Sequence, residues 1–221
     1  MPLLFHALIK YLCGVLLLGA LLFIPAGTMQ FAQAWLFMGL LFIPMLVLGI
    51  GLYLKAPELL EKRLNSKETG NDQKLVVLAA AILFLAVFVF AGLDFKHGWS
   101  RMPKWLVTAA AVIQLLSYGL YAEVMRENAY LSRTIEVQEG QKVIDTGLYG
   151  IVRHPMYTAT ILLFLAMPLV LGSWVSFALM CVYPIVIVFR IRGEERVLEE
   201  GLAGYREYKK KVKWRLVPFI W

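Results

Sequence analysis

Long apolar runs separated by short polar segments dominate the first half of the chain. Four of them, residues 8–24, 34–54, 75–93 and 105–121, have the length of about 17–25 mostly apolar residues that a membrane-spanning helix needs. Backbone N–H and C=O groups find no water in lipid, so such runs must be helical. The sequence therefore predicts four spanning helices before residue 125.

A fifth apolar run, residues 157–189, is too long for one span. Gly172, Ser173 and Trp174 stand at its middle and predict a tight turn between two short helices. Each half carries one proline, Pro168 or Pro184, which either borders a ligand cavity or kinks its helix for packing. We therefore expect an all-α, polytopic transmembrane bundle of about five to six spans, including a C-terminal helical hairpin.

Composition supports lipid as the solvent of this chain. Hydrophobic residues make up 60% of it and charged residues 17%, against about 25% charged residues in a typical soluble domain. Cys13 and Cys181 both lie in apolar runs, so no disulfide is expected. The three histidines are far apart in sequence, and no spacing typical of a metal site is present.

Charge is distributed unevenly between the two predicted sides of the membrane. With six crossings, one side has only Lys96, Arg101 and Lys104 in its turns, and the other side holds most of the remaining lysines and arginines. The positive-inside rule then predicts an integral, multi-pass membrane protein with both termini cytoplasmic. The net charge of +7 suits anionic headgroups rather than nucleic acid, since no module of basic and stacking residues is present. The loop 55–74 carries both signs and is expected to be a solvated connector.

One polar cluster lies immediately before the hairpin, in TGLYGIVRHPMYTA (residues 146–159). Pro155 suits the first turn of a helix, which places His154 at a helix N-terminus, where anions are favoured. Arg153 adds a forked donor suited to a carboxylate or phosphate. The alternative is that these cations reach the headgroups while Tyr149 and Tyr157 belong to an interfacial aromatic belt.

A second polar cluster, with Arg190, Glu194 and Glu195, follows the hairpin. The hairpin is short, so its two ends must be neighbours, and the two clusters are expected to surround one inner-face pocket. Ionisable groups at a membrane boundary are candidates for function. The alternative is an ordinary amphipathic interfacial helix.

Together these residues resemble a known family. The pattern G-x-Y-x-x-x-R-H-P-x-Y, followed by R-x-x-x-E-E and a Y-x-x-Y-x-x-x-V tail, resembles the isoprenylcysteine carboxyl methyltransferases and the wider membrane phospholipid methyltransferases. The resemblance covers residues 136–221. Together with the hydropathy, it gives two expected parts: four N-terminal transmembrane helices, residues 1–125, which match no motif of the family, and a methyltransferase core, residues 126–221, with a connecting loop, the hairpin and a cytoplasmic tail.

The resemblance also implies a reaction and a set of site residues. S-adenosylmethionine would be the methyl donor, and a lipid-like acceptor would enter from the bilayer, with carboxyl O-methylation of an isoprenylcysteine-type substrate as the first choice. Arg190 would meet the substrate carboxylate. For an amine acceptor, Glu194 or Glu195 would be the base, and Glu194 is assigned with Arg190 to the catalytic group. The residues expected to bind the cofactor are Gln141, Lys142, Val143, Ile144, Tyr149, Arg153, His154, Pro155, Met156, Tyr157 and Glu195.

Some positions depart from the family pattern and leave alternatives open. The eukaryotic members have a histidine where Gln141 stands, and Leu202 and Ala203 replace an expected Phe-Gly. Phospholipid N-methylation, thiol S-methylation, an NADPH-dependent membrane reductase and a non-catalytic lipid-binding protein are the alternatives. No G-x-G-x-x-G loop is present, which excludes a soluble-type Rossmann methyltransferase.

Overall fold

The computed structural model describes residues 3–64, 71–131, 135 and 137–221, and all regular structure in these ranges is helical. The helices are α1 (Leu3–Ala26), α2 (Ala32–Lys55), α3 (Pro57–Leu64), α4 (Asn71–His97), α5 (Lys104–Glu127), α6 (Pro155–Val170), α7 (Trp174–Met180), α8 (Tyr183–Gly201) and α9 (Tyr205–Lys211), with a 3₁₀ turn at Gly147–Gly150. The all-α prediction is confirmed.

Five helical segments in the described part of the chain are long and apolar enough to cross a membrane. They are α1, α2, the segment Lys74–His97 of α4, α5, and the bent pair α7–α8, which counts as one segment over Trp174–Gly201. Helix α6 has only 16 residues. The predicted hairpin is present: α6 and α7 are joined at Gly172 (φ 78°), and the Ser173 hydroxyl caps α7 by accepting from Ser176 N at 3.0 Å. The chain is therefore a multi-pass bundle with a bent C-terminal helix.

Helix α3 corrects one sequence-based expectation. Residues 57–64 are a helix rather than a solvated connector; residues 65–70 of the same loop lie outside the described residues. Pro57 begins the helix, and the leucines of PELLEKRL give it an apolar face. Leu59 and Leu60 are each 7% exposed, and Leu59 packs in one cluster with Val124 and Met125 of α5. The amphipathic pattern decided the structure here, and the mixed charges hid it.

Close packing holds the membrane helices together. Phe84 of α4, Phe164 of α6 and Tyr183 of α8 make edge-to-face ring contacts with centroids 4.7–5.7 Å apart. Helices α1 and α4 approach most tightly at Gly92, where an added Cβ would lie 2.6 Å from the Leu22 carbonyl oxygen. Small residues allow such approach between helices in lipid.

A buried carboxylate fastens the turn of the hairpin to α4. Asp94 is 2% exposed and accepts from Ser100 N at 2.7 Å, Ser100 Oγ at 2.6 Å and Ser173 Oγ at 2.5 Å. The Ser100 hydroxyl in turn accepts from Trp174 N at 2.9 Å. Since Asp94 is bonded at both oxygens, this network fixes one end of the hairpin and so helps to set where the opposite end lies.

Candidate functional site

The two polar clusters meet at the open end of the hairpin, as expected. Glu195 of α8 accepts from Arg153 Nε at 2.9 Å, and Nε2 of His154 lies 3.3 Å from the same Oε1 atom. Arg215, from the segment after α9, donates to Glu195 through Nη2 at 2.9 Å and through Nε at 3.1 Å. Glu195 is 4% exposed. A buried carboxylate surrounded by these groups is well compensated, and it ties α6, α8 and the C-terminal segment to one another.

Arg153 also holds the backbone of the C-terminal segment. Its Nη1 donates to the carbonyls of Val212 and Lys213, each at 2.8 Å, and its backbone N donates to Trp214 O at 2.9 Å. The side chain is 4% exposed. The guanidinium therefore has a positioning role inside the protein, although the residue also reaches the wall of the cavity described below.

Glu194 is placed differently from its neighbour. It accepts from the Tyr157 hydroxyl at 2.5 Å, and one of its oxygens lies 3.9 Å from Nδ1 of His154. Its side chain is 26% exposed, against 5% for Glu195. Successive residues of an α-helix point about 100° apart, so Glu194 and Glu195 cannot both face the cavity. Glu194 faces a cavity, and Glu195 faces the protein.

The cavity has an empty volume of about 860 Å³, including the space at its mouth. Every residue that the sequence predicted for the site lines this cavity except Pro155 and Glu195. Pro155 is fully buried in the first turn of α6. The predicted lining residues are Gln141, Lys142, Val143, Ile144, Tyr149, Arg153, His154, Met156, Tyr157, Arg190 and Glu194.

The sequence reasoning missed part of the wall. Helix α8 contributes Leu198 and Leu202, which stand four and eight residues after Glu194 and so share its face. This spacing could have been found from the helical period. The other missed lining residues are Asn128, Tyr130, Leu131, Ile135, Tyr205 and Tyr208; only the two last belong to a motif that the sequence singled out. The wall is thus polar where α6 meets α8 and apolar along α8.

Hydrogen bonds from outside the hairpin position Tyr149. Its hydroxyl accepts from Asn128 Nδ2 at 3.0 Å, and its carbonyl accepts from the Tyr208 hydroxyl at 2.7 Å. Burial raises the pKa of Tyr149, Tyr205 and Tyr208 above the usual range, so all three are neutral phenols at physiological pH. The hydrogen bond and ion pair with Lys211 lower the pKa of Asp145.

The turn that carries Tyr149 depends on a glycine. Gly147 has φ 55°, and Leu148 N donates to the Glu127 carboxylate at the end of α5, with its shorter distance 2.9 Å. A Cβ on Gly147 would lie 1.8 Å from Glu127 Oε1. This glycine therefore brings the backbone close to the Glu127 carboxylate.

Comparison with known proteins finds a match to a family model. Residues 105–203 match the family model described as phospholipid methyltransferase. The segment is similar to that family of membrane methyltransferases over 99 of the 221 residues of the chain. The resemblance found in the sequence is confirmed at the family level. The match begins at the start of α5, upstream of the motifs that revealed it.

Three relatives are 24–28% identical to this chain. A Delta(14)-sterol reductase of Methylotuvimicrobium alcaliphilum is 24% identical over 57% of this chain and 33% of the relative, and the mouse Delta(14)-sterol reductase TM7SF2 is 28% identical over 40% and 22%. The uncharacterized protein YpbQ of Bacillus subtilis is 26% identical over 63% of this chain and 82% of the relative. The chain thus spans a third or less of the two reductases.

Proposed function

We propose that this chain is an S-adenosylmethionine-dependent methyltransferase that modifies a lipid-like acceptor at the inner face of a membrane. The observation that carries the proposal is the cavity at the open end of the hairpin. It places ionic groups and an apolar wall side by side at the end of a membrane bundle whose segment 105–203 matches the phospholipid methyltransferase family. A site that joins a water-soluble donor to a lipid acceptor needs both kinds of wall.

The chemistry of the cavity fits the proposed donor. When bound, S-adenosylmethionine supplies an electrophilic methyl group carried on a sulfonium. Glu194 offers a carboxylate to a cationic ligand, while His154 and Arg190 offer donors to a ligand carboxylate. Leu198, Leu202 and Val143 supply apolar contacts for a nucleoside. The work of these residues is to hold two reactants in line and to exclude water.

The acceptor is the finer part of the proposal. Arg190 lies on the cavity wall and is 9% exposed, so it can position an acceptor carboxylate. A carboxylate has no proton to lose when it is methylated, so this reaction needs no base. This favours carboxyl O-methylation, with an isoprenylcysteine-type compound as the first candidate. For an amine acceptor, as in phospholipid N-methylation, Glu194 would receive the proton that must leave. A thiol acceptor would also lose a proton, and Glu194 is the carboxylate placed to take it.

Two measurements on the purified, detergent-solubilised chain test the proposal. Calorimetry should detect binding of S-adenosylmethionine that Glu194→Gln weakens at least tenfold. Transfer of a radiolabelled methyl group should then be measured with a prenylated cysteine, phosphatidylethanolamine and a small thiol. The labelled product identifies the acceptor, and failure to bind the donor would refute the proposed function.

A membrane reductase is the second candidate, favoured by the two sterol reductases among the relatives. Both matches cover a minor part of those proteins, so they support this reading less than the family match supports methyl transfer. Titration with NADPH in the same calorimeter separates the two functions, since the cavity should bind either NADPH or S-adenosylmethionine and not both.

The charge asymmetry supports a site that opens to the cytosol, with both termini on that side. Labelling of single cysteines placed before α1 and after α9 with a membrane-impermeant thiol reagent, in sealed inside-out vesicles, tests this orientation. Both positions should react in these vesicles and neither in right-side-out vesicles.

A further inference from the structure

The segment after α9 ends in a turn that exposes apolar side chains. Val217, Phe219 and Ile220 are 43%, 86% and 77% exposed, although they lie outside every helix. Phe219 also has φ 66°, in the left-handed region, which large side chains rarely adopt. An exposed aromatic residue held in a strained conformation needs a reason that the protein interior does not provide.

The turn has a fixed place beside the start of α6. The backbone N–H groups of Arg153 and His154 donate to the carbonyls of Trp214 and Arg215, each at 2.9 Å. The Thr158 hydroxyl, in the first turn of α6, donates to Leu216 O at 2.8 Å. Contacts on both sides of Pro155 therefore hold the segment level with the N-terminal end of this helix.

Helix α6 is too short to cross the bilayer by itself. Its 16 residues extend about 24 Å at 1.5 Å per residue, whereas the hydrocarbon core is about 30 Å thick. Its other end is fixed by the hairpin turn, which the Asp94 network ties to α4. With the hairpin turn at one membrane boundary, about 6 Å of the hydrocarbon thickness would remain uncovered at the other end of α6, where the exposed turn lies and supplies apolar surface.

Charge around the turn is suited to lipid headgroups. Lys210 and Lys213 are exposed and precede the turn by a few residues. Their neighbours Lys209 and Lys211 are paired, with Glu199 and Asp145. A pair of exposed lysines beside an apolar turn matches an anionic membrane surface, where a lysine near the headgroups is attracted by about 1 kcal/mol.

We propose that the turn Val217–Ile220 is an interfacial membrane anchor, which inserts Phe219 and Ile220 at the headgroup boundary of an anionic leaflet while Lys210 and Lys213 contact the headgroups. This proposal does not depend on the reaction that the cavity catalyses. It gives the site a physical link to the bilayer, because Arg215, which bonds Glu195, stacks on Trp221 at 5.0 Å in the same segment.

The test uses the full chain in lipid nanodiscs. Cys13 and Cys181 are replaced by alanine, and a single cysteine at Phe219, Glu139 or Leu116 is labelled with bimane. Glu139 is an exposed loop residue and serves as the water control, and Leu116, 70% exposed at the middle of α5, serves as the lipid control. Phe219→Cys is expected to fold because the side chain that it removes is exposed.

Iodide should quench the label at 219 at least threefold less than at 139. Lipids brominated near the headgroup should quench it more strongly than lipids brominated near the chain ends, which should quench the label at 116. Replacement of phosphatidylglycerol by phosphatidylcholine, or Lys210→Gln with Lys213→Gln, should restore part of the iodide quenching at 219. Equal iodide quenching at 219 and 139 would overturn the proposal, and so would protection that appears only when two chains share a nanodisc.

Discussion

The adjacent glutamates of α8 should respond in opposite ways to the same substitution. Glu195→Gln removes the charge that compensates Arg153, whose side chain is only 4% exposed, and leaves the equally buried His154 ring beside a neutral amide. Loss of one partner from a buried ion pair costs about 3–5 kcal/mol. Arg215, with a side chain 30% exposed, can be solvated, so the lower value applies. With about 2–4 °C per kcal/mol for a chain of this size, Glu195→Gln should lower the unfolding temperature by about 6–12 °C.

Glu194→Gln should leave the unfolding temperature within about 4 °C of wild type, because a glutamine can still accept from the Tyr157 hydroxyl and at most about 1 kcal/mol is lost. It should instead weaken donor binding, since Glu194 lines the cavity. The assay is size-exclusion chromatography of heated, detergent-solubilised protein, followed by calorimetry on the unheated sample. Equal thermal shifts for the two variants would refute the assignment of one inward-facing and one cavity-facing carboxylate.

A double-mutant cycle sharpens this test. If Glu195 and Arg153 stabilise the fold through their contact at 2.9 Å, then Glu195→Gln combined with Arg153→Gln should cost less than the sum of the two single changes, by at least about 1 kcal/mol. Strict additivity would mean that each residue acts through other partners.

Three other substitutions test separate features. Gly147→Ala should lower the unfolding temperature more than Gly140→Ala in the same heating assay. Both glycines have positive φ, but only at Gly147 would an added Cβ clash with the Glu127 carboxylate. Equal effects of the two substitutions would contradict this close approach. Gln114→Leu should raise the free energy of unfolding by about 1 kcal/mol and leave methyl transfer unchanged. The reason is that neither amide atom of this fully buried residue has a hydrogen-bond partner among the described residues. A lower free energy of unfolding would show that such a partner exists. Asp94→Asn, which leaves one fewer acceptor for three donors, should lower the unfolding temperature by several degrees without weakening donor binding.

Hydropathy was sufficient to predict the long membrane helices, and local sequence patterns were sufficient to predict about half of the residues that line the cavity. The four early spans and the turn at Gly172 follow from run length and from one glycine. Helix α3 follows from the amphipathic spacing of its leucines, which the mixed charges of the loop hid, but its packing partner α5 could not be identified from the sequence. For the same reason, the sequence could not single out Gly92, whose neighbour Leu22 is 70 positions away.

The limits of the sequence are clearest at the ionic cluster. The sequence placed Arg153 and Glu195 near each other and assigned both to the cofactor. It could not show that both are also bonded within the protein, because a motif gives no information on which donors the protein already uses. The carbonyls of Val212 and Lys213 that accept from Arg153 are about 60 residues away, and backbone acceptors leave no trace in side-chain identity. Arg215 was missed as well, since nothing local distinguishes it from the other cations of a basic tail.

The bond between Arg153 and the carbonyls of residues 212 and 213 has a consequence for biosynthesis. The ribosome synthesises Arg153 and α6 before residues 212 and 213, so Arg153 reaches the membrane boundary before the carbonyls that accept its hydrogen bonds are available. A nascent chain stopped at Lys211 would carry every long membrane helix and every residue that lines the cavity, but it would lack Arg215 and the two carbonyls that hold Arg153.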